Sequence, residues 1–200
     1  MDIESDLIEA YFESNGFLVR QAGKAETITN RKKRGALPTL AIFNPAVLTN
    51  SSSLGVRLYT GDLKKIRAAL VSLLGWGNSD FTNGMLNNDG MLLKFYKKEV
   101  KENRVASGFN PGPELAESGM GSFLRLLIVP GLPRNEAKVS EVFSMFQGIG
   151  VDGVLTLRSM LENLLRQSEP GKVYNGNPFF QVLKLVKAYE LAKEPQLEMF

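Results

Sequence analysis

Apolar side chains recur at Ile3, Leu7, Ile8, Tyr11 and Phe12, a 3.6-residue stripe that predicts an amphipathic helix over residues 2–14. Asn15-Gly16 ends it, with Gly16 suited to a left-handed cap. A short strand follows at Phe17–Gln21, then a polar stretch over 22–36. Leu37–Asn44 reads as a strand stopped by Asn44-Pro45. Residues 48–62 are loop-like with a short strand at Val56–Tyr59, and the run Ile66–Trp76 is the most strand-like of the first half. Beyond a loop at Gly84–Gly90, residues 91–103 carry a helical pattern. Residues 106–121 hold four glycines and two prolines and predict a mobile loop. Phe123–Leu132 is a buried strand, 134–147 a helix closed by Gly148, and Val151–Leu157 the last strand. Two helices end the pattern. One covers 158–167; the other is opened by Asn177 as N-cap and Pro178 at its first position and runs from Phe179 to about Lys193.

Helical and strand patterns alternate, which predicts an α/β fold with a mixed sheet under helices. At 200 residues, with no long internal linker or repeat, the chain reads as a single domain over 1–200. Its core spans about 1–157, with C-terminal helices over about 158–194.

Composition then removes whole classes of chemistry. There is no cysteine and no histidine. That excludes disulfides, thiolate or imidazole metal ligands, a cysteine nucleophile and the serine–histidine mechanism. Any metal site must use carboxylates, carbonyls and water, which favours magnesium-like cations. The acidic, amphipathic N-terminal stretch lacks the layout of a signal peptide, and no apolar run approaches the ~20 residues that span a membrane. These features point to a cytoplasmic protein with no membrane contact. The formal net charge of +3 is compatible with a polyanionic partner without specifying one.

An amphipathic first helix running into "NGFLVRQ", a strand ending "IFNP", a strand ending "LLGW", then "LLIVPGLP", "GVDGVLTLRSMLENLL" and "FFQVLKLVKAYEL" make an arrangement covering most of the chain. It resembles the restriction-endonuclease-like, or PD-(D/E)xK, nuclease superfamily. The resemblance implies a restriction-endonuclease-like mixed β-sheet core flanked by α-helices, with extra helices at the C-terminal end. It also implies a metal site: an aspartate on the second core strand, an acid and a lysine two residues apart on the third, and often a glutamate on the first helix. Strand residues two apart share a face, so acid and amine converge on one phosphate while carboxylates on neighbouring strands share a magnesium ion.

Laid over that pattern, the second-strand aspartate falls on Thr39, the third-strand acid on Ser72 and the lysine on Leu74. Serine and threonine are poor sole ligands for a divalent cation, and leucine carries no charge. Glu4 lies near the middle of the apolar stripe, whereas Asp6, Glu9 and Glu13 face away, so Glu4 is either a remnant of the first-helix ligand or a first-turn acid complementing the helix dipole.

The resemblance therefore implies a catalytically inactive nuclease-like protein that binds nucleic acid or a partner protein and needs no cofactor. One alternative is an active magnesium-dependent nuclease with relocated acids, for which Asp62 and Asp80 are candidates, although both also suit turns and caps. The other is an interaction or scaffold module, such as a homodimer, without nucleic acid.

The nucleic-acid candidates are Arg31, Lys32, Lys33 and Arg34, with Arg20 and Lys24 nearby, a cation set that would give salt-dependent, sequence-independent contact with DNA or RNA phosphates. A solvated loop explains the same charge run. Lys94, Lys97, Lys98 and Lys101 share one helical face, and Gln181, Lys184 and Lys187 another, each also explained as the outer face of an amphipathic helix; the last helix should bury Phe180, Leu183, Leu185, Val186 and Leu191.

Overall fold

A computed structural model of the chain describes residues 3–22, 37–109, 123–168 and 178–192. The elements are α1 (Ile3–Ser14), β1 (Leu18–Gln21), β2 (Thr39–Phe43), β3 (Ala68–Leu73), α2 (Asn83–Leu86), α3 (Asp89–Lys101), α4 (Arg104–Gly108), β4 (Leu124–Val129), α5 (Glu136–Gly148), β5 (Gly153–Thr156), α6 (Leu157–Gln167) and α7 (Pro178–Ala188). A 3-10 turn at Thr60–Lys65 precedes β3.

The strands form one five-stranded mixed sheet in chain order. β1, β2 and β3 meander antiparallel, whereas β3, β4 and β5 run parallel. Parallel neighbours need a crossover, and the chain supplies α2 to α4 between β3 and β4 and α5 between β4 and β5.

Both faces of the sheet are covered. Leu40, Ile42, Ala69, Val71, Leu73, Leu126, Ile128 and Leu155 pack against α1, α6 and α7, whose contributions include Tyr11, Phe12, Met160, Leu164 and Phe180. Ala41, Leu70, Leu74, Leu127, Val129 and Val154 pack against α3, α4 and α5 through Phe95, Tyr96, Val105, Val142 and Phe146. All six residues of β3 are buried, which is why its sequence is apolar apart from Ser72 rather than an alternation.

Helix starts follow local capping chemistry. Asn88, Asn135 and Thr156 accept hydrogen bonds from the amides of Met91, Lys138 and Ser159, so each fills an orphan donor of the turn it opens. Gly16 takes φ 86° after α1, as a left-handed cap requires. After α5 the positive φ falls on Gly150 rather than Gly148, which remains inside the helix.

Several readings of the sequence are corrected. The expected loop at Gly84–Gly90 holds the short helix α2 and the start of α3. Val56–Tyr59 is not a ladder strand but a single parallel bridge at Arg57 to Val154, with Leu58 N donating to Val154 O at 3.0 Å. It covers the outer edge of β5, where an open edge would be a liability. Residues 106–108 are helical, because Asn103 at φ 58° turns the chain so that α4 can pack back on the sheet. The last helix stops at Ala188, short of Lys193. It buries Phe180 and Leu183 but leaves Leu185 and Leu191 at 55% and 75% exposure. The proposed N-cap Asn177 lies outside the described residues. Among these residues no helix is long and apolar enough to cross a membrane.

Phe146 is fully buried and meets the Tyr96 ring at 5.4 Å, close to edge-on. Phe146→Ala should destabilise the fold by about 3–5 kcal/mol through transfer and cavity terms. The check is a loss in urea midpoint with unchanged slope.

Candidate functional site

The register of β2 against β3 sets Thr39 opposite Ser72, so the two positions singled out from the sequence are direct cross-strand partners. Their hydroxyl oxygens are 2.9 Å apart. Both face the α3/α4 layer, as does Leu74, two residues beyond Ser72. Ser72 is fully buried, Thr39 half-buried and Leu74 fully buried in the apolar cluster.

The end of α4 covers this pair. Thr39 Oγ1 lies 2.5 Å from the carbonyl oxygen of Gly108 and 3.2 Å from that of Leu37. A carbonyl can only accept, and a hydroxyl has one proton, so Thr39 donates to Gly108 and Ser72 donates to Thr39. The hydroxyls thus satisfy one of the carbonyls that a helix C-terminus leaves without an intrahelical partner. The packing above them needs glycine. A Cβ added at Gly108 would sit 2.7 Å from Ser72 Oγ and 3.2 Å from Leu37 Cβ.

Glu4 approaches from the other layer. It is 9% exposed although it is in the first turn of α1. Its carboxylate accepts from Trp76 N at 2.8 Å and Gly77 N at 2.9 Å, just past the end of β3. Gly75 allows this close approach, since a Cβ there would fall 2.4 Å from Glu4 Oε2. Glu4 therefore fastens the loop after β3 from its place in the first turn of α1.

The same loop is held from two more sides. Asn78 donates from Nδ2 to Leu73 O at 2.8 Å and accepts from Gly75 N at 3.0 Å. Arg104, at the start of α4, donates to Asn78 O at 2.6 Å and forms a buried ion pair with Glu99 of α3. Burying a charged pair is costly, and the contacts of Arg104 with Glu99 and with the Asn78 carbonyl link α3, α4 and the loop. Neither Arg104 nor Asn78 stood out in the sequence. Arg104 lies at the edge of the glycine-rich stretch.

Asp62 and Asp80 act locally. Asp62 accepts from Tyr59 N and pairs with Lys65, and these contacts, the Lys65 hydrogen bond first, hold its carboxyl below the usual range. Asp80 pairs with Lys98 at 2.9 Å. Lys94, Lys97, Lys98 and Lys101 do share an exposed face of α3, but Lys97 also pairs with Glu141, at 2.6 Å, so half of that positive charge is offset. Arg20 is exposed on β1, whereas Lys24, Arg31, Lys32, Lys33 and Arg34 lie outside the described residues.

As a donor set for a magnesium ion, Thr39, Ser72 and Leu74 do not fit. Two neutral hydroxyls are already committed to each other and to Gly108, and the third side chain has no donor atom. Among the described residues no three acidic side chains gather around one point. In comparisons with family models, curated proteins and solved structures, the chain matches none.

Two variants test this geometry. Gly→Ala inside an exposed helix ordinarily stabilises, by about 0.5–1 kcal/mol, so Gly108→Ala reads crowding through its sign. It should destabilise by about 1–3 kcal/mol, and the Gly108→Ala/Ser72→Ala double variant should lose less than the sum of the singles by at least about 0.5 kcal/mol. Glu4→Gln should cost about 1–3 kcal/mol, because an amide cannot accept from both N–H groups as a carboxylate does. The emission of Trp76, the one tryptophan of the chain, should change with it.

Proposed function

We propose that the chain is a non-catalytic protein with a restriction-endonuclease-like core that acts by binding nucleic acid rather than cutting it. The observation that carries this reading is the Thr39–Ser72 pair, in register on adjacent strands and sealed under Gly108. The strand pair is where the resemblance requires two acids, and it bears two hydroxyls engaged in packing. A meander of three antiparallel strands followed by two parallel ones, with helices on both faces, is compatible with that core.

The chemistry needs charge at these positions. A phosphodiester attack by water draws on carboxylates to hold a cation and lower the water's pKa, and on an amine to offset developing negative charge. Thr39 and Ser72 supply neither carboxylate, and Leu74 supplies no amine. Asp62 and Asp80, the acids that relocation would use, are spent on a turn and on Lys98. Binding, by contrast, needs only cations presented to phosphates, for which the run Arg31–Arg34, with Arg20 and Lys24, is the candidate.

One observation favours a second reading, that of a protein-interaction module. Val182, Leu185 and Tyr189 recur on one exposed side of α7 and the turn after it, at 56%, 55% and 73% exposure, with the uncharged Gln181 and Ala188 beside them. Such a stripe fits a partner surface better than solvent.

Incubated with DNA or RNA and magnesium or manganese, the protein should show no cleavage; metal-dependent turnover would sink the non-catalytic reading. Nucleic-acid affinity should fall steeply with salt. Replacing Arg31, Lys32, Lys33 and Arg34 with alanine should flatten the log–log slope by up to about 3–4 units on a duplex. Binding unchanged by that replacement removes the basic run from the interface. Binding of protein but of no nucleic acid favours the second reading.

A further inference from the structure

Trp76 is 43% exposed, yet its backbone is anchored from several sides. Its own amide and that of Gly77 donate to the Glu4 carboxylate, and the loop is stapled again by Asn78 and Arg104. The ring meets Phe81 at 4.8 Å with planes 81° apart, and Phe81 in turn meets Phe95 of α3 at 5.5 Å. Phe81 and Phe95 are buried, so they form a rigid base under a ring that reaches solvent. Beside that base stands the lysine face of α3. Lys98 touches Asp80, the neighbour of Phe81, and Lys94 and Lys101 lie one turn to either side.

We propose that Trp76 is a stacking platform for one unpaired base of a single-stranded nucleic acid, with the lysines of α3 contacting the adjoining phosphates. This rests on the nucleic-acid-binding reading and adds where the strand lies and that it is single. A π-face offers its stacking area only to a base that has left a duplex stack, and such stacking accepts any base. A ring held in place in advance loses little freedom on binding, which favours affinity. The lysines select a phosphate-bearing ligand over a neutral one that could also lie on an indole. Asp80, Glu102 and Glu141 compete for Lys97 and Lys98, but these pairs are all solvent-exposed and so contribute little and exchange readily.

The test titrates the full chain with an oligothymidylate and with a duplex of equal length, reading tryptophan emission together with the anisotropy of a labelled strand. The single strand should quench Trp76, and Trp76→Ala should weaken its binding about 5- to 150-fold while Trp76→Phe keeps most of the affinity. Urea midpoints of both variants should remain near the parent value, which separates a lost platform from a damaged fold. Lys94→Glu/Lys101→Glu should weaken single-strand binding and lower its salt slope. If the strand binds by anisotropy but leaves emission unchanged, and Trp76→Ala binds equally well, the platform is refuted while the nucleic-acid reading stands. If the parent chain binds no nucleic acid of either kind, both fall.

Discussion

The register of β2 on β3 is the constraint on which the rest of the molecule depends. A slip of one residue would turn Thr39 or Ser72 to the opposite face and with it every apolar partner of those strands. In the register found, Ala41, Leu70 and Leu74 face α3 and α4 while Leu40, Ile42, Ala69, Val71 and Leu73 face α1 and α6. The fully buried Ser72 hydroxyl, with the half-buried Thr39 opposite it, then falls against an apolar layer, where it would be costly unless satisfied. Gly108 supplies the missing acceptor, and having no Cβ it can come close enough to do so. Position, hydroxyl pair and glycine are thus one device: each explains the presence of the other two.

From there the loop after β3 inherits its shape. With Ser72 and Leu74 sealed beneath α4, the chain leaves β3 through Gly75 and Trp76, and three separate side chains take up its backbone groups. Glu4 comes from one layer and Arg104 from the other, while Asn78 comes from the loop itself. An acid of the first helix and a cation of the fourth therefore meet the same short segment from opposite faces of the sheet. The consequence is a rigid corner at the end of the central strand, a property that a surface able to present an aromatic ring requires and that a mobile loop lacks.

Much of the architecture was legible because periodicity is set by burial. The strands were placed because each is apolar and bounded by turn residues, and the long helices because their stripes face a layer. Thr39, Ser72 and Leu74 could be marked and aligned before any coordinates, and Glu4 could be put inside the α1 stripe. Other features had no signal in composition. The helix Arg104–Gly108 hides in a stretch rich in glycine and proline, since what stabilises it is tertiary: the Glu99 pair, Val105 in the core and Thr39 at its last carbonyl. The pairing of Glu99 with Arg104, five residues on, has no signature in the sequence pattern. The last helix misled in the opposite direction. Its apolar residues occupy more than one face, and periodicity cannot say which of two faces meets the sheet; Phe180 and Leu183 do, Leu185 and Leu191 do not.

These two kinds of failure bear on function in different ways. A side chain such as Ser72 is informative because it is a polar group in an otherwise apolar strand, and that is visible in the sequence itself. A residue such as Trp76 is informative for the reverse reason, because nothing about its identity is unusual until the surrounding anchors are known. An exposed aromatic on a loose loop is common and means little. Placed on a corner held by a buried carboxylate, a side-chain amide and a guanidinium, with two buried rings behind it, the same residue is fixed in place at the cost of one buried acid and one buried ion pair. What the corner contributes is a pre-positioned surface at the end of the central strand, beside a helix face of lysines. The corner lies just past Ser72 at the end of the central strand, and contact with a ligand is the role we propose for it.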